Sequence, residues 1–245
     1  RLLRFLGFTH LEMQDDSRIL ASDLELTSYC GGRRSVEELL DTERRLIQRT
    51  HHIFESHPLG APLPFICRVQ TVRHEEWEKA NTSRISEDQM TYDFYGNLTR
   101  LVQTGDLANS IDDRAFESSV IPNKTDFIVN RPSFYKVLGI GDQGKWNTLS
   151  ETLYEYDYSN DHTLSPGKLG ELTRERHWNN QTNGYADSLY QYDQRGNPQI
   201  LTGPSIPSNL TGVVATVEYD CQFQRFPVTT CTGLFCDTGE WDKGR

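Results

Sequence analysis

The feature that most restricts the fold of this chain is a Tyr-Asp pair that recurs at the end of strand-like runs. The pair occurs at Tyr92-Asp93, Tyr156-Asp157, Tyr192-Asp193 and Tyr219-Asp220. Residues that alternate along such runs point to opposite faces of a β-strand. The copies are spaced irregularly, by about 30–60 residues, and self-similarity of this kind indicates a repeat architecture. The pattern therefore predicts a chain built from repeated β-elements.

Two copies lead directly into a glycine turn, and this Tyr-Asp-x-x-Gly-Asn core is the specific part of the pattern. The turn residues of the two cores are Gly96-Asn97 and Gly196-Asn197. Gly and Asn adopt the positive φ angles of tight hairpin turns more readily than other residues. A preceding aspartate can accept hydrogen bonds from the N–H groups of the turn. Each core is therefore interpreted as a hairpin, with the tyrosine ring covering the apolar face of its neighbour.

The other two copies are degenerate versions of the same unit. Tyr156-Asp157 reaches its glycines only at Gly167 and Gly170, and Tyr219-Asp220 continues to Phe226-Pro227-Val228. An isolated hairpin is barely stable in water, so the units are expected to stack edge to edge. The predicted fold class is mainly β, with antiparallel hairpins stacked into a curled sheet that forms part of a shell or cocoon.

One helix is predicted near residues 36–54. Ser35 and Glu38 have the S-x-x-E spacing of a capping box, and apolar residues follow at helical spacing. A Pro- and Gly-rich run then precedes residue 65. We expect residues 1–64 to form an N-terminal β plus helix segment that leads into the shell. Residues 65–245 are expected to form the repeat segment and to continue beyond this fragment.

Charge and hydropathy argue against two classes of partner. The net charge is −10 and the pI is about 5.2, so a phosphate backbone would be repelled. No stretch approaches the roughly 18 apolar residues that a membrane span requires. We therefore expect no nucleic-acid partner and no membrane span in this fragment. The 11 Tyr and 11 Phe against 2 Met favour strands packed through aromatic side chains.

Cysteines and sequons bear on the compartment. Three of the five cysteines, Cys221, Cys231 and Cys236, lie close together and are candidates for a disulfide, with free buried thiols as the alternative. The sequence leaves their pairing open. Five N-x-[ST] sequons are candidate glycosylation sites if the source is a eukaryote, and carry no meaning if it is a bacterium. They are Asn81, Asn97, Asn123, Asn180 and Asn209. Together these features predict a secreted or extracellular protein.

These motifs resemble those of the YD-repeat, or Rhs, family. Residues 88–137, with the first Tyr-Asp core and the segment Phe127 to Pro132, are similar to the middle region of the B component of tripartite insecticidal toxin complexes and of the Salmonella virulence plasmid protein B family. Phe226-Pro227-Val228, after the last Tyr-Asp pair, agrees with this likeness. The resemblance implies a segment of a hollow β-cocoon around a C-terminal payload.

The expected function is that of a non-catalytic structural segment of a shell that encloses or presents such a payload. Its expected partners are the rest of its own longer chain, other subunits of a large assembly, and glycans. No cofactor, metal or catalytic residue is predicted. The alternative is an extracellular adhesion or carbohydrate-binding module on the same repeat, motivated by aromatic residues that we expect to be exposed. They are Trp77, Trp146, Trp178 and Trp241.

Overall fold

The structure is a computed structural model that describes residues 9–25, 30–58, 65–77, 83–141, 144–203, 213–232 and 235–239. These residues form sixteen β-strands and one short 3-10 helix, Ser110–Asp112. The strands are β1 (His10–Gln14), β2 (Ile19–Leu24), β3 (Arg34–Leu40), β4 (Leu46–Pro58), β5 (Phe65–Trp77), β6 (Ser83–Tyr92), β7 (Leu98–Thr104), β8 (Arg114–Val120), β9 (Pro132–Ile140), β10 (Trp146–Tyr156), β11 (Leu172–Asn179), β12 (Gly184–Tyr192), β13 (Pro198–Thr202), β14 (Val213–Tyr219), β15 (Pro227–Thr232) and β16 (Phe235–Thr238).

The strands pair in the order in which they occur in the sequence. Each strand lies next to the one before it, from β1 to β16, and successive strands are antiparallel hairpin partners. Antiparallel strands need only short connections, so a chain punctuated by turn residues builds such a sheet strand by strand. The predicted class, mainly β with antiparallel hairpins, is confirmed.

The predicted helix at residues 36–54 is wrong. This segment forms β3, a turn and β4. The two residues of the expected capping box contact neighbouring strands instead: the Ser35 hydroxyl donates to the Asp23 carbonyl at 3.2 Å, and Glu38 pairs with Arg49 of β4 at 2.7 Å. Pairing with strands on both sides outweighs the helical spacing of the apolar residues, which is a weak determinant by comparison.

The chain divides into two compact units. The first comprises Arg1–Ser118 and Val137–Leu149, and the second comprises Ser119–Lys136 and Ser150–Arg245. Within the described residues few side chains are fully shielded from solvent, among them Ile19 and Ala115 in the first unit and Leu153 in the second. Most strand residues are half-buried. Strand pairing and contacts between side chains on adjacent strands therefore carry much of the stability.

Candidate functional site

The tyrosines of the four Tyr-Asp pairs share one contact. Each lies at the end of its strand and donates its hydroxyl hydrogen to a main-chain carbonyl at or near the start of the preceding strand, a contact called here the tyrosine latch. The four bonds are Tyr92 to Val69 at 2.8 Å, Tyr156 to Pro132 at 2.8 Å, Tyr192 to Leu172 at 2.7 Å and Tyr219 to Pro198 at 2.9 Å. Each latch ties the end of one hairpin to the strand next to it.

The hairpin register shifts directly before each of these tyrosines. Tyr92 lies opposite Leu98, whereas the residue before it lies opposite Arg100, so the second strand carries one extra residue. The same shift precedes the other three tyrosines. A bulge of this kind increases the local twist and re-aims the neighbouring side chain. The repeated bulge therefore explains why four tyrosines in different hairpins reach equivalent carbonyls.

The latch hydroxyls remain protonated at neutral pH. Burial raises the pKa of Tyr92, Tyr156 and Tyr192 above its ordinary value. The carboxylate of Glu55 raises the pKa of Tyr92 further, and Glu171 does the same for Tyr192. Each hydroxyl is therefore available as a donor throughout the physiological range.

The aspartates of the first and third pairs close their turns in the same way. The Asp93 carboxylate accepts hydrogen bonds from the main-chain N–H and the side-chain Nδ2 of Asn97, both at 2.8 Å. Asp193 accepts the same two bonds from Asn197 at 2.9 and 2.8 Å. The glycine before each asparagine has φ of 95° or 81°, a conformation that a side chain disfavours. The Tyr-Asp-x-x-Gly-Asn core is thus one defined turn, present twice.

The aspartate of the second pair closes a much longer loop. Asp157 accepts hydrogen bonds from the N–H groups of Gly170 at 2.8 Å and Glu171 at 3.1 Å. Its own N–H donates to the Glu171 carbonyl at 2.8 Å. Glu171 therefore occupies the place that asparagine takes in the two core turns. The loop between them is an insertion that keeps the main-chain bonds between the closing residues, and the Gly170 N–H replaces the side-chain donor of asparagine.

The aspartate of the fourth pair closes a turn two residues longer than the core. Its carboxylate accepts three main-chain N–H groups, from Phe223, Arg225 and Phe226. Desolvation raises the pKa of Asp220, but these bonds outweigh it and lower the pKa to about 2. These hydrogen bonds therefore favour the ionised form of Asp220.

One further turn of this type was missed in the sequence. Asp41, at the end of β3, accepts hydrogen bonds from the N–H of Arg45 at 2.8 Å and from its Nε at 2.7 Å. Its own N–H donates to the Arg45 carbonyl, as in the core turns. The register also shifts directly before Leu40, which occupies the tyrosine position. The sequence signal for this turn is weak: an aspartate followed four residues later by a residue whose side chain can donate a hydrogen bond.

The sequons differ in how their amide nitrogens are used. Nδ2 of Asn97 donates to Asp93, and Nδ2 of Asn123 donates to Asp126 and to the carbonyls of Pro166 and Gly167, at 2.9–3.0 Å. Asn180 lies in the exposed turn between β11 and β12. Asn81 and Asn209 lie outside the described residues. A glycan on Asn97 or Asn123 would replace hydrogen bonds that hold a loop, whereas one on Asn180 would project from the surface.

The structure contains two disulfides. Cys231 and Cys236 lie opposite each other on β15 and β16 and are bonded. Cys221, which the sequence groups with them, carries an exposed free thiol. The second bond joins Cys30 to Cys67, a pairing that the sequence left open. Their sequence separations are 37 for Cys30–Cys67 and 5 for Cys231–Cys236.

Groups with other chemistry are sparse in the described part of the chain. No three His, Cys, Asp or Glu side chains converge there as metal ligands. No described helix has the length and apolar character of a membrane span. The most shielded charged residue among those described is Glu155 on β10, which pairs with Arg174 at 3.4 Å and with Arg176 at 3.7 Å, both on β11. These are contacts between neighbouring strands, so they hold the sheet together.

The fold is similar to that of Tc toxin proteins. No protein-family model and no curated protein matches the chain. A TcdB2-TccC3-Cdc42 crystal structure covers 89% of this chain and 16% of its own, at 12% identity and a TM-score of 0.57. A structure of the Photorhabdus luminescens Tc holotoxin pore with a TccC3 variant covers 83% of this chain and 15% of its own, at 13% identity and a TM-score of 0.55. At these identities the likeness is one of fold, and this chain spans about a sixth of the chains it matches.

Proposed function

We propose that this chain is a non-catalytic structural segment of a shell-building protein of the YD-repeat type, similar to toxin-complex proteins. The observation that carries the proposal is the tyrosine latch. Four hydroxyls bond to carbonyls of the preceding strand and none of these bonds lies within the tyrosine's own turn. The recurring tyrosine of each unit thus holds that unit beside its neighbour, as a structural wall requires.

The energetics of hairpins support a role that depends on neighbours. A two-stranded hairpin is marginal in water, whereas strands added on both sides supply pairing and shield the faces. In this chain each of the four Tyr-Asp hairpins gains a latch from the strand before it, and the strands are hydrogen-bonded in chain order. A wall can be lengthened by adding further units without redesigning the existing ones.

Enclosure or presentation of a C-terminal payload is the finer part of the proposal, together with secretion and assembly with other subunits. The likeness in fold to Tc toxin structures supports it. The two disulfides support an oxidising compartment, where such bonds persist. The net charge of −10 disfavours nucleic acid as a partner.

Cryo-electron microscopy of the longest natural protein that contains this chain tests the proposal. We expect a hollow particle in which β1 to β16 are consecutive strands of the wall and the latch tyrosines bridge neighbouring hairpins. A solid domain in which these strands surround a closed core would contradict the proposal. Substrate turnover by the purified chain would contradict its non-catalytic part.

An adhesion or carbohydrate-binding module is the second candidate, and one surface favours it. Trp178 and Tyr185 lie opposite each other on β11 and β12, and the Arg176 guanidinium lies 4.9 Å from the centre of the Tyr185 ring. Trp178 is half-buried, as are Trp77 and Trp146, so the aromatic residues are less exposed than the sequence suggested. Trp241 lies outside the described residues.

A glycan array separates the two candidates. If the module binds carbohydrate through this surface, the intact chain binds at least one glycan and Trp178→Ala abolishes that binding. Trp77→Ala, on β5, serves as the matched control because it removes a half-buried tryptophan from a different strand. Absence of binding by the intact chain would leave the shell as the better account.

A further inference from the structure

Four residues occupy the same place relative to the tyrosine latches. Each directly precedes the residue whose carbonyl accepts the tyrosine hydroxyl, and each contacts the turn that follows that tyrosine. We call them the bracing residues. They are Arg68, Arg131, Glu171 and Asn197. Their chemistry differs, so no sequence motif reveals them, and only the shared position identifies them as a set.

Arg68 makes the most shielded of these contacts. The residue is 7% exposed, and its Nη1 donates to the Asp93 carbonyl at 2.9 Å. The guanidinium lies 5.3 Å from the centre of the Tyr92 ring, and its atoms would lie 3.7–3.8 Å from a Cβ added to Gly96. A single side chain from β5 thus contacts the tyrosine, the aspartate and the glycine of the next turn.

The contact between a Tyr-Asp hairpin and the strand before it is called here a seam. Asn197 makes the equivalent hydrogen bond at the last seam. Its Nδ2 donates to the carbonyl of Gln224 at 2.8 Å, in the turn that follows Tyr219. Gln224 has a positive φ of 52° and so occupies a position comparable to the glycine of the core turns. The same nitrogen donates to Asp193, so Asn197 both closes its own turn and braces the next.

The two remaining bracing residues pack against glycines. An added Cβ on Gly170 would lie 3.6 Å from Nε of Arg131, and one on Gly196 would lie 3.0 Å from Oε1 of Glu171. At Gly196 the positive φ angle and the close approach of Glu171 both favour glycine. At Gly170 the positive φ angle favours glycine, Ile128 comes closest at 3.1 Å, and Arg131 is at ordinary contact distance. The four seams share this arrangement although only two use a direct hydrogen bond.

We propose that the bracing residues form a second attachment between successive hairpins, separate from the tyrosine latch, and so fix each turn against the one before it. A single hydrogen bond leaves the joined groups free to pivot, whereas two contacts made by consecutive residues hold both position and register. The partner recognised is the next repeat of the same chain. The assignment deepens the proposed wall and rests on it only in treating each hairpin as a unit.

Amide hydrogen exchange on the full chain tests this assignment at the first seam. Arg68→Met keeps the apolar stem and removes the donor to Asp93. We expect exchange at the Gly96 and Asn97 amides to accelerate by about tenfold or more, with the amides of β5 unchanged. Local exchange is the appropriate readout because two guanidinium nitrogens of Arg68 are buried without a hydrogen bond among the described residues. Removing these two nitrogens should raise the free energy of unfolding, which would mask the loss of the hydrogen bond to Asp93 in a global measurement.

Two further variants keep the test decisive. Arg73→Met alters an arginine of the same strand that pairs with Glu75 at 3.1 Å, and it should leave exchange at Gly96 and Asn97 unchanged. Arg68→Lys keeps a cation and should give a smaller acceleration than Arg68→Met. Unchanged exchange at Gly96 and Asn97 in Arg68→Met, or an equal acceleration in Arg73→Met, would overturn the assignment.

The last seam allows an independent test of the same assignment. Asn197→Asp leaves no donor for the Gln224 carbonyl, and we expect faster exchange at the amides of Gln224 and Phe226, which bond to Asp220. Unchanged exchange there would overturn the assignment for this seam. Electron microscopy of the particle tests whether the strands form a wall, and hydrogen exchange within one chain tests the bracing contacts. Either proposal can therefore fail while the other stands.

Discussion

At the scale of single residues, the latch hydroxyl is the group whose removal is most informative. Tyr192→Phe keeps the ring and removes the donor to the Leu172 carbonyl. Since a half-buried carbonyl loses its partner, we expect unfolding to become easier by about 1 kcal/mol. Urea unfolding measures the change. Tyr158→Phe is the control because its side chain is 62% exposed, and an equal loss in that variant would show that the hydroxyl contact has no special role.

Glu171 gives a prediction with a defined pH dependence. Desolvation raises the pKa of its carboxyl group, and the nearby carboxylates of Asp157 and Asp193 raise it further. A group whose pKa is higher in the folded state is favourable when protonated, and that contribution is lost as the pH rises through the folded pKa. The ionised side chain therefore opposes folding at neutral pH.

We expect Glu171→Gln to raise the Tm at pH 7 and to have progressively less effect as the pH falls below the ordinary value of 4.5. The main-chain bonds of Glu171 to Asp157 are unchanged by this substitution, so the comparison isolates the carboxylate. Thermal unfolding from pH 3 to 8 gives the measurement. A difference in Tm that is constant over this range would contradict the electrostatic explanation.

Side-chain hydrogen bonding also predicts which described sequon accepts a glycan in folded protein. When the chain is secreted from eukaryotic cells, we expect glycopeptide mass spectrometry to find Asn180 occupied. Secreted molecules should lack a glycan on Asn123, because its two Nδ2 hydrogens are shared among Asp126 and the carbonyls of Pro166 and Gly167, which joins two loops. Thr182→Ala removes the Asn180 sequon and is the control. Efficient secretion of protein glycosylated at Asn123 would contradict this view.

At the scale of secondary-structure elements, the turn of β3 and β4 is the one that most needs its aspartate. Arg44 occupies the position of the core glycine with φ of 61°, which is unfavourable for a residue with a side chain. The bonds from Glu43 and Arg45 to Asp41 compensate.

We therefore expect Asp41→Ala to lower the Tm by at least as much as Asp93→Ala, whose turn has glycine at this position. Circular dichroism melting curves give the comparison. Asp16→Ala alters an exposed aspartate in the turn between β1 and β2 and should change the Tm little. If Asp41→Ala were as mild as Asp16→Ala, the equivalence of the β3–β4 turn to the core turns would be wrong.

The sequence predicted the β class and the core turns because their signals are local. Gly-Asn after Tyr-Asp specifies a hairpin within six residues. The helix prediction at 36–54 failed because Val36, Leu39 and Leu40 fit a helical face locally. That spacing does not reveal their pairing with β2, outside the segment, or with β4, across a turn within it. The bracing contacts could not be predicted from the sequence either, because Arg68 and Asp93 are 25 residues apart and share no motif.

At the scale of the whole molecule, pairing in chain order means that the sheet is assembled from neighbouring segments. Each strand finds its partners within the adjacent hairpins, so the two compact units each contain their own latches and one disulfide. Cys30–Cys67 lies in the first unit and Cys231–Cys236 in the second. Loss of either disulfide should therefore act mainly on the unit that contains it.

Loop length predicts how the two losses differ. In the chain-entropy description a disulfide stabilises by restricting the unfolded chain, and the effect grows with the closed loop. For separations of 37 and 5 residues the expected contributions are about 4 and about 2 kcal/mol. Urea unfolding of Cys30→Ser/Cys67→Ser and of Cys231→Ser/Cys236→Ser, followed by hydrogen exchange in each unit, measures both. An equal loss in the two variants, or a loss spread evenly over the two units, would show that the disulfides act through something other than local chain restriction.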